Sequence, residues 1–546
     1  MNKSNWPNPF NKSYYVAADC HLYSAEQIKL VESNYANIDP QGTYPLMERA
    51  GLSAFESILT TWPDAKNWLI VVGKGNNGGD GLIVARLALD LVLAKGIKVT
   101  LLNLNSTAQF KNDAYLAWLA LEQSPLYTYL NLITELPEDL SAFDLLVDAM
   151  LGTGLQGAVR EPYAQIIDKI NQATMPVLAI DIPSGLQADT GVSGNPSIIA
   201  DKTVTYIAPK KGLYTGDAAD FRGEVVLADL QIGESSWQGI TSQITAKDYA
   251  AICSRLYRRE HTSHKGHFGY CRVIGGANGM IGAALLAANA AARVGSGLTS
   301  AWVEAGAEVI VSRVPEIMAK NVHLSAVDNL ANQVTAKVPL ELPTSGQAED
   351  ADERSSALIS ALVIGPGLGQ SLWGRTWLRR ILGLSHSDYL NIAKVFDADA
   401  LNILAREPTF DNHRILTPHP GEAARLLDMT TQEIHQDRYA ASAMIAQRYG
   451  GVCVLKGAGT IISDAFGRQT VCPVGNPGMA SGGMGDVLSG IIGGLLAQQY
   501  ALFDAAVMGV CIHGEAADYA AGTEQKYRGL LASDLIDYLP PLVNPC

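Results

Sequence analysis

A glycine-rich stretch late in the sequence carries a carboxylate at a place suited to hold an anion. Residues 476–496 read NPGMASGGMGDVLSGIIGGLL and pass through Gly482, Gly483 and Gly485 to Asp486, after which an apolar helical pattern begins. Glycines let backbone N–H groups approach an anion closely, and the following helix directs its positive end to the same place. Asp486 could therefore take a proton from a hydroxyl while the amides hold the phosphoryl group that the hydroxyl attacks.

The same stretch has a simpler interpretation. Asp is a favoured N-cap residue, so Asp486 could merely cap the helix after a glycine-rich turn. Short glycine motifs also match by accident. The choice between the two interpretations depends on the rest of the chain.

Polar residues also follow the predicted strands of the first half of the chain. Strand patterns alternate with helical ones, which predicts a parallel sheet covered on both faces, with ligands bound at the carboxyl ends of its strands. Helices are expected from Ser24, from Leu46, over residues 80–96 and around residues 114–121. The predicted strands are WLIVVG (68–73), KVTLLNL (98–104), LLVDAMLG (145–152), VLAIDIPSG (177–185), TVTYIA (203–208) and VVLADLQIG (225–233).

Four of these strand ends carry residues that can bind or react. They are NNGGD at 76–80, Asp148 followed by GTGLQGA at 152–158, Asp181 with Ser184, and Lys210. Four such ends in one domain favour a ligand pocket over unrelated loops.

Structural alternatives remain for single residues. Asp148 could cap a turn, Asp181 could brace the turn at 183–185, and Lys210 could be a surface charge whose role Lys211 takes.

Composition limits the classes of protein. The chain has 546 residues, a net charge of −14, 48% hydrophobic and 17% charged residues, and 52 glycines. At about 150 residues per domain, two to four globular domains are expected. The acidic balance argues against nucleic acid as the main partner and gives no basic membrane-binding signal.

Cysteine usage and the N-terminal sequence indicate a reducing compartment. The seven cysteines include no CxxC and no metal-like spacing, which predicts free thiols. The N-terminal sequence has no apolar core of a secretory signal, and no uncharged apolar run is long enough to span a bilayer. A cytoplasmic protein without a membrane partner is expected.

The first half resembles a known family. LMERAG, NNGGDG, the LGTGL loop, DIPSGL and APKKG together resemble the N-terminal epimerase domain of the NAD(P)H-hydrate repair enzymes, over about residues 20–234. The resemblance implies a Rossmann-like three-layer α/β fold that interconverts the R and S hydrates of NADH or NADPH. The family pattern usually has proline where Lys211 stands, so the choice between Lys210 and Lys211 stays open.

The resemblance also implies roles for residues. Asp181 and Lys210 are the acid–base candidates, and Asn77, Asp148 and Ser184 would hold a potassium ion through oxygen ligands. The hydrated nucleotide would be contacted by Asn76, Asn77, Gly78, Gly79, Asp80, Gly152, Thr153, Gly154, Leu155, Gln156, Gly157, Ala158, Tyr163 and Asp181.

The second half resembles the ribokinase-like dehydratase that usually follows this epimerase. HKGHFG, GGANGMIGAA, GPGLG, DADALN, TPHPGE, KGAGT and NPGMASGGMGDVLSG occur in that order over residues 259–546. An ordered series is far more specific than one motif. It implies a ribokinase-like α/β domain that dehydrates the S hydrate at the expense of ADP and gives NAD(P)H, AMP and phosphate.

Residue roles in this half follow from the same resemblance. Asp486 would be the base on the hydrate's hydroxyl, and Mg²⁺ would assist the phosphoryl transfer. The family often has threonine at Met484, so one hydroxyl contact to phosphate is missing here. The adenine nucleotide would be held by Lys456, Gly457, Ala458, Gly459, Thr460 and Gly485, and the hydrate by Ala283, Gly367, Gly369, His419 and Asp486.

Several of these residues have structural alternatives. His419, between two prolines, could only fix a turn, and Lys456 could be a plain surface residue. Asp397 and Asp399 could serve as helix caps or packing residues instead of metal ligands, so neither is included in the predicted site.

These observations predict four segments. Residues 1–19 form a tail, 20–234 the epimerase domain, 235–258 a linker and 259–546 the dehydratase domain; the acidic stretch 338–356 is a surface insertion. A homo-oligomer is expected, with hydrated NADH or NADPH and ADP as small-molecule partners.

Two other functions remain to be weighed. One is a ribokinase-like kinase of a small molecule such as a hydroxymethylpyrimidine, which would lack the first domain. The other is a first domain that only binds a nucleotide or protein and regulates the second.

Overall fold

The computed structural model describes residues 19–104, 109–325, 359–384, 392–523 and 526–544. The chain divides between Ala246 and Lys247 into two compact units, called here the first and the second unit. The division falls inside the range 235–258 in which the sequence predicts a linker. The predicted tail, apart from Asp19, and the predicted insertion at 338–356 lie outside the described residues.

The first unit is built on a parallel sheet with the strand order β4-β3-β2-β5-β6-β7-β8. Its central strands are buried almost throughout, as expected when helices cover both faces of a sheet. The strands are β2 (Asn67–Val72), β3 (Lys98–Asn103), β4 (Leu130–Ile133), β5 (Leu145–Ala149), β6 (Val177–Ile180), β7 (Lys202–Tyr206) and β8 (Glu224–Ala228). The shorter β1 (Asp19–His21) and β9 (Ile244–Lys247) lie at the two ends of this part of the chain.

Helices of the first unit begin and end at recognisable signals. Ser24 caps α1 through a capping box with Gln27, and Gly96 ends α4 with φ +68°. The helix predicted over 80–96 is divided at Asp90, a residue of low helix propensity. The helices are α1 (Ala25–Ala36), α2 (Tyr44–Thr61), α3 (Asn76–Leu89), α4 (Val92–Lys95), α5 (Asn112–Glu122), α6 (Tyr163–Asn171) and α7 (Ala218–Phe221).

The second unit contains a mixed sheet whose central strands are parallel. From β18 the order is β18-β17-β16-β15-β14-β13-β10-β11-β12, and only the pairs β16–β17 and β17–β18 in this series are antiparallel. The strands are β10 (Tyr270–Ile274), β11 (Leu298–Val303), β12 (Met318–Asn321), β13 (Ala361–Ile364), β14 (Ala393–Phe396), β15 (Arg414–Leu416), β16 (Val452–Leu455), β17 (Thr460–Asp464) and β18 (Gln469–Cys472).

Helices α9 and α16 of the second unit pack closely because their contact is made of small residues. A Cβ added at Gly490 would lie 2.1 Å from the carbonyl oxygen of Ala287. The helices are α8 (Tyr249–Cys253), α9 (Ile281–Arg293), α10 (Ala307–Arg313), α11 (Leu372–Leu384), α12 (Asp399–Arg406), α13 (Pro420–Leu427), α14 (Thr431–Gln436), α15 (Arg438–Tyr449), α16 (Met484–Ala497), α17 (Leu502–Ala521) and α18 (Leu539–Leu542). Among the described residues, no helix combines the length and the apolarity needed to cross a bilayer.

Candidate active sites

A cavity of about 870 Å³ lies at the carboxyl ends of the first unit's strands. Residues following β2, β5, β6 and β7 all reach it, so the four polar strand ends predicted from the sequence share one site. The predicted site residues that line it are Asn76, Asn77, Asp80, Gly152, Thr153, Gly154, Leu155, Gln156, Ala158, Tyr163, Asp181 and Lys210.

Three predicted contact residues do not line this cavity. A Cβ on Gly78 would lie 1.9 Å from the Gly73 carbonyl oxygen, and one on Gly79 would lie 2.6 Å from the Met47 thioether. These two glycines permit close packing, and their contact with the substrate stays a prediction. Gly157, with φ +74°, has open space around it.

Asp181 and Lys210 form a buried ion pair on the cavity wall. The Lys210 ammonium donates to Asp181, to Thr205 Oγ1 at 3.1 Å and to the Tyr206 carbonyl at 2.8 Å, and its side chain is 1% exposed. Lys210 is therefore no surface charge, and Lys211 does not line the cavity. The Asp181 carboxylate faces β7 and its lysine instead of bracing the turn at 183–185.

Two further carboxyl groups share this cavity with the ion pair. Asp80 is 8% exposed, and burial, together with the negative charges of Asp181 and Glu32, raises its pKa well above the usual range. Burial, followed by the charge of Asp181, also raises the pKa of Glu32. The Tyr206 hydroxyl lies among these acids, is buried and has no hydrogen-bond partner within the described residues.

Asp148 and Ser184 form the deeper side of the site. The fully buried Asp148 carboxylate accepts from the Ser184 hydroxyl at 2.6 Å and from the backbone N–H groups of Ser184 and Met150. Burial raises the pKa of Asp148 to about 6. Asp148 thus caps the turns at Met150 and Ser184, which agrees with the alternative that it caps a turn. Its carboxylate oxygens are also of the type that binds a cation.

The oxygens around Asp148 fit a potassium ion. Asn77 Oδ1 is buried without a partner among the described residues, while Asn77 Nδ2 donates to the Leu151 carbonyl at 3.2 Å. The Ser184 hydroxyl, a carboxylate and an orphaned amide oxygen form a hard, all-oxygen donor set. Asn77, Asp148 and Ser184 would therefore hold the ion, which stays a prediction.

Sequence reasoning missed several residues of this cavity. Lys29, Lys74, Asp113 and Arg160 line it without belonging to any motif. Glu32 had a detectable signal, because it lies four residues after the buried Ile28 on the same face of α1. A charged residue on an apolar face indicates a site or a buried pair.

In the second unit, Asp486 lies in the first turn of α16. The N-cap is Gly483, with φ +91°, and no side chain caps this helix end. The simpler interpretation, in which Asp486 caps the helix, therefore does not hold. Burial, followed by the charge of Asp397, raises the pKa of Asp486 to about 7, while Lys456 opposes the rise.

Asp397, which the sequence analysis left out, holds the centre of this site. Its carboxylate accepts from Lys456 Nζ at 2.9 Å, from Thr417 Oγ1 at 2.9 Å and from Ser489 Oγ at 3.1 Å. Lys456 is accordingly paired and mostly buried, not a plain surface residue. The network joins the ends of β14, β15 and β16 to α16 beside Asp486.

His419 and Glu422 extend the network. His419 Nδ1 accepts from the N–H groups of Gly421 and Glu422, so this histidine does fix the start of α13. Burial raises the pKa of Glu422 to about 7, with its carboxylate 3.9 Å from Lys456 Nζ. The role of His419 in binding the hydrate stays a prediction.

The predicted hydrate-binding glycines meet at one turn. Cβ atoms built on Gly367 and Gly369 would lie 3.1 Å from the Ala283 methyl and 3.2 Å from the Ala277 methyl. Asp399 braces the turn by accepting from the Gly369 N–H at 3.0 Å. Asp399 is thus a structural residue, whereas Asp397 belongs to the site.

The KGAGT loop at 456–460 is held by a buried arginine that no motif indicated. Arg438 is 2% exposed and donates to the carbonyls of Leu455, Lys456 and Gly459. Gly457, with φ +138°, leaves the space that this guanidinium occupies. Arg438 therefore fixes the loop predicted to hold the nucleotide.

The residues near Asp486 do not make a magnesium site by themselves. No group of three or more His, Cys, Asp or Glu residues within the described ranges could hold a metal ion. The Asp397 oxygens are already occupied by three donors. Mg²⁺ is commonly held by nucleotide phosphates and water, so it stays a prediction tied to the nucleotide.

Comparisons with known proteins agree with this division of the chain. Residues 43–212 match the family described as YjeF-related protein N-terminus, and residues 271–541 match the family NAD(P)H-hydrate dehydratase. The bifunctional NAD(P)H-hydrate repair enzyme Nnr of Coxiella burnetii is 43% identical over 96% of this chain and 99% of that protein. The chain belongs to the bifunctional NAD(P)H-hydrate repair enzyme family. The family predicted from the two series of motifs is thereby confirmed.

Other similar proteins have related names. The bifunctional NAD(P)H-hydrate repair enzyme Nnr of Escherichia coli K12 is 42% identical over 96% of this chain and 94% of that protein. A solved structure of the ADP/ATP-dependent NAD(P)H-hydrate dehydratase from Bacillus subtilis, co-crystallized with ATP/Mg²⁺, is 29% identical and covers 54% of this chain and 95% of that chain, with a TM-score of 0.44.

The comparisons also decide between the functions weighed from the sequence. Relatives named as bifunctional enzymes match across both units, which disfavours a lone small-molecule kinase. The predicted α/β class, with parallel strands at the centre of both sheets, is confirmed.

Proposed function

We propose that the chain repairs hydrated NADH and NADPH in two steps. The first unit interconverts the R and S hydrates, and the second dehydrates the S hydrate with ADP to give NAD(P)H, AMP and phosphate. The observation that carries this proposal is the likeness to bifunctional repair enzymes along 96% of the chain. The chemistry of the two sites supports it.

The second unit has what activation of a hydroxyl requires. Hydroxide is a poor leaving group, and transfer of a phosphoryl group from ADP converts it into phosphate, which departs readily. Asp486, with a pKa raised to about 7, takes the proton of the attacking hydroxyl. The backbone amides of residues 482–485 and the Lys456 ammonium stabilise the charge on the transferring group. Bound Mg²⁺ would add positive charge at the nucleotide.

The first unit supplies acid–base groups in a pocket large enough for part of a dinucleotide. Asp181 and Lys210 face the hydrate's hydroxyl from the wall of the 870 Å³ cavity. The loops at 76–80 and 152–158 bind the nucleotide. Asn77, Asp148 and Ser184 would hold a potassium ion, which would supply a fixed positive charge beside these loops.

The decisive experiment separates the two steps in the full-length chain. Purified S hydrate with ADP, or with ATP in a parallel assay, should recover the absorbance of the dihydronicotinamide, with AMP and phosphate released in equal amounts from ADP. Asp486→Asn should lower this rate by at least about 100-fold, the usual contribution of a general base. R hydrate should be repaired only when epimerisation also works.

Asp181→Ala provides the matched control. It should abolish enzymatic repair of the R hydrate while leaving repair of the S hydrate at the rate of the unmodified chain. No recovery of absorbance with either nucleotide would refute the dehydratase, and unchanged R repair in Asp181→Ala would favour a non-catalytic first unit.

A further inference from the structure

The first unit's cavity holds several acids around one buried ammonium. Asp80, Glu32 and Asp181 line it; Asp80 is buried, and the other two are partly exposed. Lys210 is the only buried ammonium among the residues that line the cavity, and it donates directly to Asp181. Burial and the like charges of these acids make it costly to ionise all three at once.

The surroundings of Asp80 favour its protonated form. The negative charges of Asp181 and Glu32 act on it, and no described residue donates a hydrogen bond to its carboxyl group. These charges add to the effect of burial and raise its pKa well above the usual range. Asp181, by contrast, accepts hydrogen bonds from Lys210, from the Thr205 hydroxyl and from the Tyr206 N–H.

The two carboxyl groups reach the cavity from different parts of the sheet. Gly81, next to Asp80 on α3, packs on Val72 of β2 and Ala149 of β5. Asp181 follows β6, which is two strands away from β2 in the order β2-β5-β6. Asp80 therefore reaches the cavity from α3 and Asp181 from the end of β6, and both line it.

The Tyr206 hydroxyl is an independent sign of a missing ligand. It lines the same cavity, is buried and has no partner within the described residues, while the charges of Asp80 and Asp181 both act on it. A buried hydroxyl left without a partner is costly unless a ligand or water supplies one. It can hydrogen-bond to a water or hydroxyl held between the two acids.

We propose that Asp80 is the proton donor of the epimerase, acting on the hydrate's departing hydroxyl while Asp181 acts as the base for the water that returns. This assignment rests on the proposed epimerase function and adds a catalytic role to a residue otherwise expected only to contact the substrate.

The step conserves atoms and charge. Asp80 gives its proton to the hydroxyl oxygen on C6, the C6–O bond breaks with its electron pair on oxygen, and water leaves. The ring nitrogen's lone pair forms the N1=C6 bond. A water molecule then adds to the other face of C6, its proton passes to Asp181, and the N1=C6 electrons return to nitrogen.

The lysine-paired Asp181 suffices as a base because water that adds to an iminium carbon becomes strongly acidic. After one turnover Asp80 is ionised and Asp181 is protonated, and exchange with solvent restores the starting state. In the opposite direction the same two groups act in exchanged roles, as microscopic reversibility requires.

The test compares two carboxylate-to-amide variants on the same helix in the full-length chain. Asp80→Asn should lower kcat for conversion of R to S hydrate by at least about 100-fold, with KM changed much less, whereas Asp90→Asn should stay within about twofold. Asp90→Asn removes the same charge, but Asp90 is exposed at the C-cap of α3 and does not line the cavity. Asp80→Glu should recover part of the activity.

Two further readouts distinguish catalysis from structure. In the unmodified chain the epimerase rate should fall at alkaline pH as Asp80 loses its proton, and Asp80→Asn should lack this decline. The product should take up oxygen from isotopically labelled water once per epimerisation.

The charged or titratable groups that line the cavity with Asp80 are Lys29 and Glu32 of α1, Asp113 of α5, Tyr163 of α6, Asp181, Tyr206 and Lys210 from the β6–β7 side, and Lys74 and Arg160 of the outer loops.

Each outcome decides the matter. Wild-type kcat in Asp80→Asn, an equal loss in Asp90→Asn, or epimerisation without label uptake would overturn the role of Asp80. Repair of S hydrate by Asp80→Asn at the normal rate checks that the chain is folded. If the unmodified chain does not epimerise at all, the proposed function fails instead, and the two failures are distinguishable.

Discussion

In each unit, a lysine pairs with one acid, and a neighbouring acid has a raised pKa. Lys456 pairs with Asp397, while burial and then the charge of Asp397 raise the pKa of Asp486 to about 7. Lys210 pairs with Asp181, while burial and then the charges of Asp181 and Glu32 raise the pKa of Asp80 well above the usual range. Groups with pKa values near the working pH transfer protons effectively, so the same arrangement can serve a base in one site and an acid in the other.

The dehydratase rate should depend on pH through Asp486. The base works when ionised, so kcat/KM with ADP should rise as the pH increases through about 7. Asp397→Asn removes a negative charge that raises the pKa of Asp486, and it frees the positive charge of Lys456. The rise should therefore move to lower pH in this variant.

The matched control for this prediction is Asp399→Asn. Asp399 lies two residues away but braces the turn at Gly369, and its charge does not act on Asp486. Its pH profile should keep the midpoint of the unmodified chain, whatever its rate. A profile that stays in place in Asp397→Asn would contradict the assignment of Asp486 as the titrating base.

At the scale of elements, the contact between α9 and α16 sets the position of Asp486. A Cβ on Gly490 would meet the Ala287 carbonyl oxygen at 2.1 Å, and one on Gly494 would meet the Val294 side chain at 2.4 Å. Because a backbone oxygen cannot swing aside, a larger residue at Gly490 moves the whole helix. The small residues of α16 thus place the first turn that carries the base.

Gly490→Ala should lower the free energy of unfolding of the chain by about 1–3 kcal/mol, the usual cost of overpacking. It should also lower the dehydratase rate. Gly383→Ala is the control, because the Cβ would meet nothing within 4 Å, and the free energy of unfolding should stay unchanged or rise by up to about 1 kcal/mol. Equal unfolding midpoints in urea for the two variants would show that the helix contact tolerates a methyl group.

Potassium should stabilise the first unit in a pH-dependent manner. Burial raises the pKa of Asp148 to about 6. The folded state therefore loses stability as the pH rises from the usual pKa of an aspartate to about 6, because the buried carboxyl group must ionise. A bound cation offsets this cost only when the carboxylate is ionised. KCl should thus raise the unfolding temperature more at pH 8 than at pH 5.

Asp148→Asn should abolish the difference between KCl and an equal concentration of tetramethylammonium chloride. Asn77→Ala should weaken it, because the orphaned amide oxygen is lost. An identical response of the unmodified chain to both salts at pH 8 would contradict a potassium site here.

At the scale of the whole molecule, the proposed catalytic residues of each step lie within one unit. We therefore expect single substitutions to separate the two activities, and hydrate released by one chain to be usable by another.

A mixture of full-length Asp181→Ala and full-length Asp486→Asn should therefore repair R hydrate, although neither variant does so alone. The first variant supplies the dehydratase and the second the epimerase. The measurement is the recovered dihydronicotinamide absorbance with ADP. Failure of the mixture, with each remaining activity intact when assayed separately, would mean that the hydrate does not pass between chains.

The sequence by itself determined the family, the α/β class and most of the strand ends at which chemistry occurs. Buried strands are continuous apolar runs, and glycine-rich turns are local, so neighbouring residues encode both. Ser24 and Gly96 marked helix ends for the same reason. The motif series placed Asp486, Asp181 and Lys210 without any knowledge of distant contacts.

Only the tertiary structure decided which side chains face one another. Lys210 rather than Lys211, Asp397 rather than Asp399, and the packing roles of Gly78 and Gly79 depend on atoms far away in the chain. Charge on a carboxyl group also depends on burial and on neighbours from several elements, which is why the raised pKa of Asp80 appears only when the cavity is assembled.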